Sequence, residues 1–239
     1  MTVVVKVYIV RHGETEENRQ GIMQGQLDTP LNAAGLRQAE LAADALEDVP
    51  FGAAYSSDLQ RARKTAEVIL ERHPDVRLET MEALRERYMG DWQGGSVYNR
   101  GDPPANLEPI IDFLARSMKW WGDTIARHVQ RQAAKLKKEL AEQEDAGAQD
   151  DSEWVDEPWE FEPLHVLVVS HGGLIGTLVT NLVGSRKVEV AEGVTIGRCF
   201  NASISVIDMD ESGRGVLISY ADTTHLNVDL VQENADVQQ

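Results

Sequence analysis

Residues 3–15 read Val-Val-Val-Lys-Val-Tyr-Ile-Val-Arg-His-Gly-Glu-Thr, and this stretch decides the fold. Val3 to Val10 is a near-continuous run of β-branched and apolar residues, the pattern of a strand buried on both faces. It ends abruptly at Arg11-His12-Gly13. A cation and an imidazole therefore emerge together at the carboxyl end of a central strand. Ligands of open α/β sheets bind at that edge. Gly13 allows a sharp turn and a close approach of backbone to ligand.

A second stretch repeats the design. Leu164 to Ser170 is again continuously apolar and runs into His171-Gly172-Gly173 and a helix to Val183. Right-handed crossovers make two such strands parallel. Their carboxyl ends then share one edge of the sheet, which brings His12 and His171 together.

Between them the chain alternates helix and strand. Asn32 is an N-cap for a helix over 33–48, with Leu36, Ala39, Ala42, Ala43 and Leu46 at helical spacing. Phe51 to Tyr55 is a short second strand. Ser56, Ser57 and Asp58 offer caps for a helix from Leu59 to Arg72, which His73-Pro74 ends. Val76 to Glu79 alternates as a third strand at a sheet edge. Glycines and prolines mark 84–104 as mostly loop.

Two helical stripes follow, Ile110, Ile111, Leu114 and Met118, then Ile125, Val129, Leu136 and Leu140. With no strand between them, they predict a helical cap over one end of the sheet. Ser203 to Met209 and Gly215 to Tyr220 are strands joined by a turn at 210–213, and the polar tail from Ala221 is expected to fray or lie on the surface. The expected fold is a three-layer α/β/α domain over 1–239. Its central sheet is mostly parallel, and a helical cap and acidic loop are inserted at 95–163.

Composition limits what such a domain can do. The 239 residues are 42% hydrophobic and 26% charged, ordinary values for a globular chain. No apolar run is long enough to span a membrane. The single cysteine, Cys199, excludes an intramolecular disulfide and a cysteine metal cluster. A reducing cytoplasm is the simplest location. The net charge of −17 disfavours nucleic acid and acidic membranes as partners. Eleven of the acids fall within 139–162, which holds no Lys or Arg, so a basic pocket elsewhere is compatible with the total.

The polar residues at the shared edge then point to one kind of ligand. Arg61 opens the helix after the second strand. Cations are disfavoured at a helix N-terminus, so it wants a negative partner, either Asp58 at the surface or an anion at the site. Two arginines and two histidines without a carboxylate cluster suit a phosphoryl group better than a metal. Arginine binds phosphate oxygens bidentately, and histidine can form a covalent intermediate.

On these residues the sequence resembles the histidine phosphatase superfamily, the phosphoglycerate mutase-like family. The carriers are Arg11-His12-Gly13-Glu14-Thr15, Asn18, Gly25, Asp28-Thr29-Pro30-Leu31, Gly35, Ser56-Ser57-Asp58-Leu59, Arg61-Ala62, Leu84-Arg85-Glu86 before Gly90, and Ser170-His171-Gly172-Gly173. They cover 3–92 and 164–183; Asn201-Ala202-Ser203 matches more weakly, and the middle insertion poorly. The resemblance implies that His12 is phosphorylated, that Arg11, Arg61 and His171 surround the phosphoryl oxygens, and that Glu86 is the proton donor. Asn18, Gly13 and Gly172 are implied as substrate contacts.

No metal and no cofactor is implied, and the expected partner is a small phosphorylated substrate. Within the family the chain looks most like fructose-2,6-bisphosphatase-like phosphatases, since Tyr88 to Arg100 is short. Arg85, Arg87 and Arg100 could then read a second phosphate. A mutase, a protein phosphatase and a catalytically weak phosphate-binding protein are the alternatives. Trp154 and Trp159 could dock the acidic run 144–160 as an electrostatic gate; otherwise that run is a solvated loop.

Overall fold

The computed structural model describes residues 1–98, 101–147, 161–226 and Leu230, with side chains to Gln143 and again from Phe161. The run 148–160, with Trp154 and Trp159, and Arg100 lie outside the described residues, and so does the expectation of an acidic gate.

A seven-stranded mixed sheet carries the fold. Its strands are β1 (Val3–Arg11), β2 (Phe51–Ser57), β3 (Leu78–Met81), β4 (Leu164–Ser170), β5 (Val188–Val190), β6 (Ile204–Asp210) and β7 (Gly215–Asp222). They lie in the order β3-β2-β4-β1-β6-β7-β5. β3, β2, β4 and β1 run parallel, and β6 joins β1 antiparallel. The helices are α1 (Glu16–Gln20), α2 (Ala33–Ala45), α3 (Gln60–Leu70), α4 (Ile110–Asp123), α5 (Ile125–Gly147) and α6 (Gly172–Gly184).

The continuous apolar runs of β1 and β4 are explained by burial on both faces. Val5, Val7, Ile9, Val166 and Val168 point to one side, into a core with Trp120, Trp121, Ile125, Val129 and Leu178 of α4, α5 and α6. Val10, Leu167 and Val169 point to the other, into a core with Ala39, Ala42, Ala66 and Ile69 of α2 and α3. Period-2 alternation thus sorts one apolar run into two cores, giving the three layers.

The inserted helices need correction. α5 lies against β1 and buries Ile125, Val129 and Leu136, so it covers a face of the sheet and is not a cap over its end. Leu140 is exposed. In α4 the buried stripe is Phe113, Ser117, Trp120 and Trp121; Ile110 and Ile111 are 50% and 66% exposed. Both stripes have helical spacing, and the large aromatic surface of two tryptophans wins the core.

Other differences are local. α1 sits where only loop was expected, held by a capping box between Thr15 and Asn18. β3 starts at Leu78 and not at Val76, and it is an edge strand. The three-residue β5 was not foreseen. None of Ser56, Ser57 or Asp58 caps α3; its Gln60 N–H donates instead to Asp28 Oδ1 at 2.7 Å. The described part of the tail does not fray: Leu226 is buried, and Gln38 Nε2 donates to the Leu230 carbonyl. No described helix is long and apolar enough to cross a membrane.

Candidate active site

The register between β1 and β4 builds the site. Arg11 pairs with Ser170, and the His12 N–H donates to the Ser170 carbonyl at 2.9 Å. The next residue on each strand is a histidine, and the two rings lie 5.1 Å apart between centroids. Both histidines are buried, as are Arg11 and Arg61.

Hydrogen bonds fix the tautomer of His12. Nδ1 is 2.7 Å from the Gly13 carbonyl, which can only accept, so Nδ1 carries the proton. Arg61 Nε, which can only donate, is 3.3 Å from Nε2. Nε2 therefore presents its lone pair. Burial, then the Arg61 and Arg11 guanidinium groups, push His12 well below the usual histidine range. His171 is pushed the same way by burial, Arg61, His12 and Arg11. Neither of its ring nitrogens has a hydrogen-bond partner among the described residues. Buried polar atoms are normally paired, and both nitrogens of this ring are able to bond a ligand.

The arginines are aimed by carbonyls. Arg61 donates to Leu27 O at 2.6 Å and Gly25 O at 2.8 Å, and Arg11 to Cys199 O at 2.7 Å. Of the two readings of Arg61, the surface pair with Asp58 is not what forms. Asp58 instead takes both arms of Arg85, which holds its carboxyl below the usual range.

Glu86 is 8% exposed and no solvated loop residue. Its Oε2 accepts from Gly173 N and its Oε1 from Arg87 N, each at 2.8 Å. The carboxylate therefore sits on the N-terminus of α6, directly after His171. Gly173 makes this possible, because a Cβ there would stand 2.5 Å from Glu86 Oε1. A Cβ on Gly172 would touch Arg11 Cζ at 3.3 Å.

Gly13 also packs closely on α2, where a Cβ would lie 2.4 Å from the Gly35 carbonyl. Asn18 is buried beside the pocket; its Oδ1 accepts from Thr15 N at 3.2 Å and lies 3.4 Å from Asn201 Nδ2. Anything it gives a ligand comes from its NH2 end. A second phosphate finds less than expected: Arg85 is held by Asp58 and Glu82, and Arg87 Nε donates to Glu108 O.

Arg116 escaped the sequence reading. From α4 it donates to the carbonyls of Ala83, Arg85 and Glu86 at 2.9, 2.7 and 2.8 Å, and it pairs with Glu108. One guanidinium thus clamps the turn that carries Glu86. An arginine in an amphipathic helix reads as a surface residue, and nothing in its spacing points to three carbonyls 30 residues away. Asn201, whose Nδ2 donates to His12 O at 2.9 Å, holds the backbone of His12. Among the described residues no three His, Cys, Asp or Glu are grouped to hold a metal ion.

Known proteins resemble this chain over most of its length. The family model described as histidine phosphatase superfamily (branch 1) matches residues 7–223. A Schizosaccharomyces pombe protein named as a probable phosphatase is 27% identical over 230 residues, 93% of this chain and 95% of the relative. The fructose-2,6-bisphosphatase TIGAR B of Danio rerio is 30% identical over 213 residues, 81% of this chain and 80% of the relative. A mycobacterial glucosyl-3-phosphoglycerate phosphatase solved with VO3 superposes with a TM-score of 0.64 at 28% identity, covering 91% of this chain and 99% of that one.

Proposed function

The chain belongs to the histidine phosphatase superfamily, and from that premise we propose that it is a metal-independent phosphomonoesterase acting on a small phosphorylated metabolite through a phosphohistidine on His12. The observation that carries this is the His12 tautomer: Nδ1–H bound to Gly13 O and Nε2 unprotonated between Arg61 and His171.

In the first step His12 Nε2 attacks phosphorus in line, and the bond from phosphorus to the ester oxygen breaks. Charge on the equatorial oxygens is met by Arg11, Arg61 and the His171 ring. Glu86 gives its proton to the leaving alkoxide. In the second step a water attacks phosphohistidine, Glu86 takes its proton back, and the nitrogen–phosphorus bond breaks to release phosphate. The hydrogen bond from Arg61 Nε to His12 Nε2 must break when the phosphoryl group arrives, which frees the lone pair.

The relatives named as phosphatases favour hydrolysis over transfer. A monophosphate fits better than a bisphosphate, because Arg85 and Arg87 are already engaged. Incubation with sugar phosphates and 3-phosphoglycerate tests the reading. Free phosphate without isomer is the expected result. Isomer without phosphate would make the protein a mutase, and no turnover of either would leave a binding protein.

A further inference from the structure

Ile110 and Leu114 belong to the apolar stripe that did not enter the core, and they face a cavity of about 440 Å³. Its floor is one face of α6: Gly173, Gly176, Thr177, Thr180, Asn181 and Gly184 recur at the three- and four-residue spacing that shares a helix face. At 1.5 Å per residue, Gly172 to Gly184 makes the groove about 18 Å long.

Arg11, His12, Arg61, Glu86 and His171 are not in the lining of the groove, but residues at one end of it touch two of them. A side chain at Gly173 would strike Glu86, one at Gly172 would touch Arg11, and the carbonyl of Cys199, which also lines the cavity, holds Arg11. The proton donor must reach the ester oxygen that departs, so the leaving group lies on the Glu86 side of phosphorus. At its Gly173 end the groove adjoins Glu86.

Its walls define what fits. No Lys, Arg, Asp or Glu among the described residues lines it. Leaving groups with a second phosphate or a carboxylate would lose hydration there without gaining a partner. Ile110 and Leu114 offer apolar surface. Thr177, Thr180, Asn181 and Tyr220 offer hydrogen bonds; the Tyr220 hydroxyl lies 3.7 Å from where a Cβ on Gly176 would be, and burial keeps its phenol protonated.

We infer that this groove is the leaving-group subsite, and that it selects monophosphates of elongated, uncharged alcohols with an apolar body. The inference rests on the phosphatase reading above and names its substrate class.

The n-alkyl phosphates ethyl, butyl and hexyl test it, because their alcohols ionise alike and differ only in the surface they bury. kcat/KM should rise roughly 2- to 4-fold per methylene until the groove is filled. A carboxylate at the far end of the hexyl chain should cancel the gain. Thr177→Trp, and separately Thr180→Trp, should flatten the series, read within each variant as the ratio of kcat/KM for hexyl to that for ethyl phosphate. A flat series in the native enzyme, or an undiminished slope in both variants, overturns the inference while ethyl phosphate turnover still upholds the phosphatase. Release of phosphate from no ester overturns the phosphatase reading and this one with it.

Discussion

Gly173 and Glu86 show how a missing side chain can shape a site. The glycine leaves room for a carboxylate on the first turn of α6, where the Gly173 N–H binds Glu86 Oε2. An alanine would place its Cβ 2.5 Å from Glu86 Oε1, and the flexible carboxylate would give way before the helix does. Gly173→Ala should therefore fold normally yet lose the proton donor. Phosphohistidine formation from alkyl phosphates should slow by roughly 10²–10⁴-fold, and from p-nitrophenyl phosphate far less, since nitrophenolate leaves without a proton. Single-turnover rates for the two esters give the comparison. Equal losses would mean that Glu86 does not protonate the leaving oxygen. The residue types at this site were legible in the sequence because strand ends announce them. Arg11, His12 and His171 each follow a run of buried β-branched residues. Glu86 sits in a loop with no periodicity, and only the resemblance pointed to it.

At the scale of elements, α4 supports the turn that carries Glu86. Arg116 reaches from it to three carbonyls of the turn 83–86, and Gln26 Nε2 adds a bond to the Glu86 carbonyl at 3.1 Å. If Glu86 is the acid, Arg116 positions it, and displacing such an acid costs on the order of 10² in rate. Arg116→Ala should lower kcat for alkyl phosphates by about 100-fold, with KM little changed and p-nitrophenyl phosphate much less affected. Arg116→Lys, which keeps charge but cannot fork, should recover only part of it. Uniform loss on both esters would reduce Arg116 to a merely structural contact. Elements with strong periodicity, β1, β4, α2 and α3, were readable from residues alone. α4 was readable as a helix but not in its rotation, because two apolar stripes compete and only packing against the sheet chooses between them. The caps of α3 were misread for a similar reason: its partner, Asp28, is 32 residues away in sequence.

For the whole molecule, the buried histidines tie activity to stability. His12 and His171 are held neutral, with folded-state pKa values well below the ordinary histidine value of about 6.5. Unfolded chains take up protons as pH falls below that value, while the native state does not. Stability is thus full above about pH 7 and falls with acid until the depressed native values are reached. Urea midpoints measured from pH 8 down to pH 5 should decline, and His171→Gln should weaken the decline. A midpoint that rises toward pH 5 would contradict neutral, buried imidazoles. The depressed value also leaves His12 Nε2 unprotonated in mildly acidic solution, as the proposed mechanism requires. The parallel β1–β4 pairing that creates this environment was legible, since both strands end in His-Gly. The face that α5 covers was not, because helical spacing says which side of a helix is buried and not what buries it.

The central claim is that His12 Nε2 becomes phosphorylated while arginines, and no metal, hold the phosphoryl group. It is tested most directly by acid-free quenching of the enzyme during turnover of p-nitrophenyl phosphate in EDTA, followed by peptide mass analysis. The account predicts an acid-labile phosphate on His12, unaffected by chelation, with no such label and a rate lower by roughly 10⁴-fold or more in His12→Ala. Label on another residue, or turnover that stops in EDTA and returns with added metal, would contradict it.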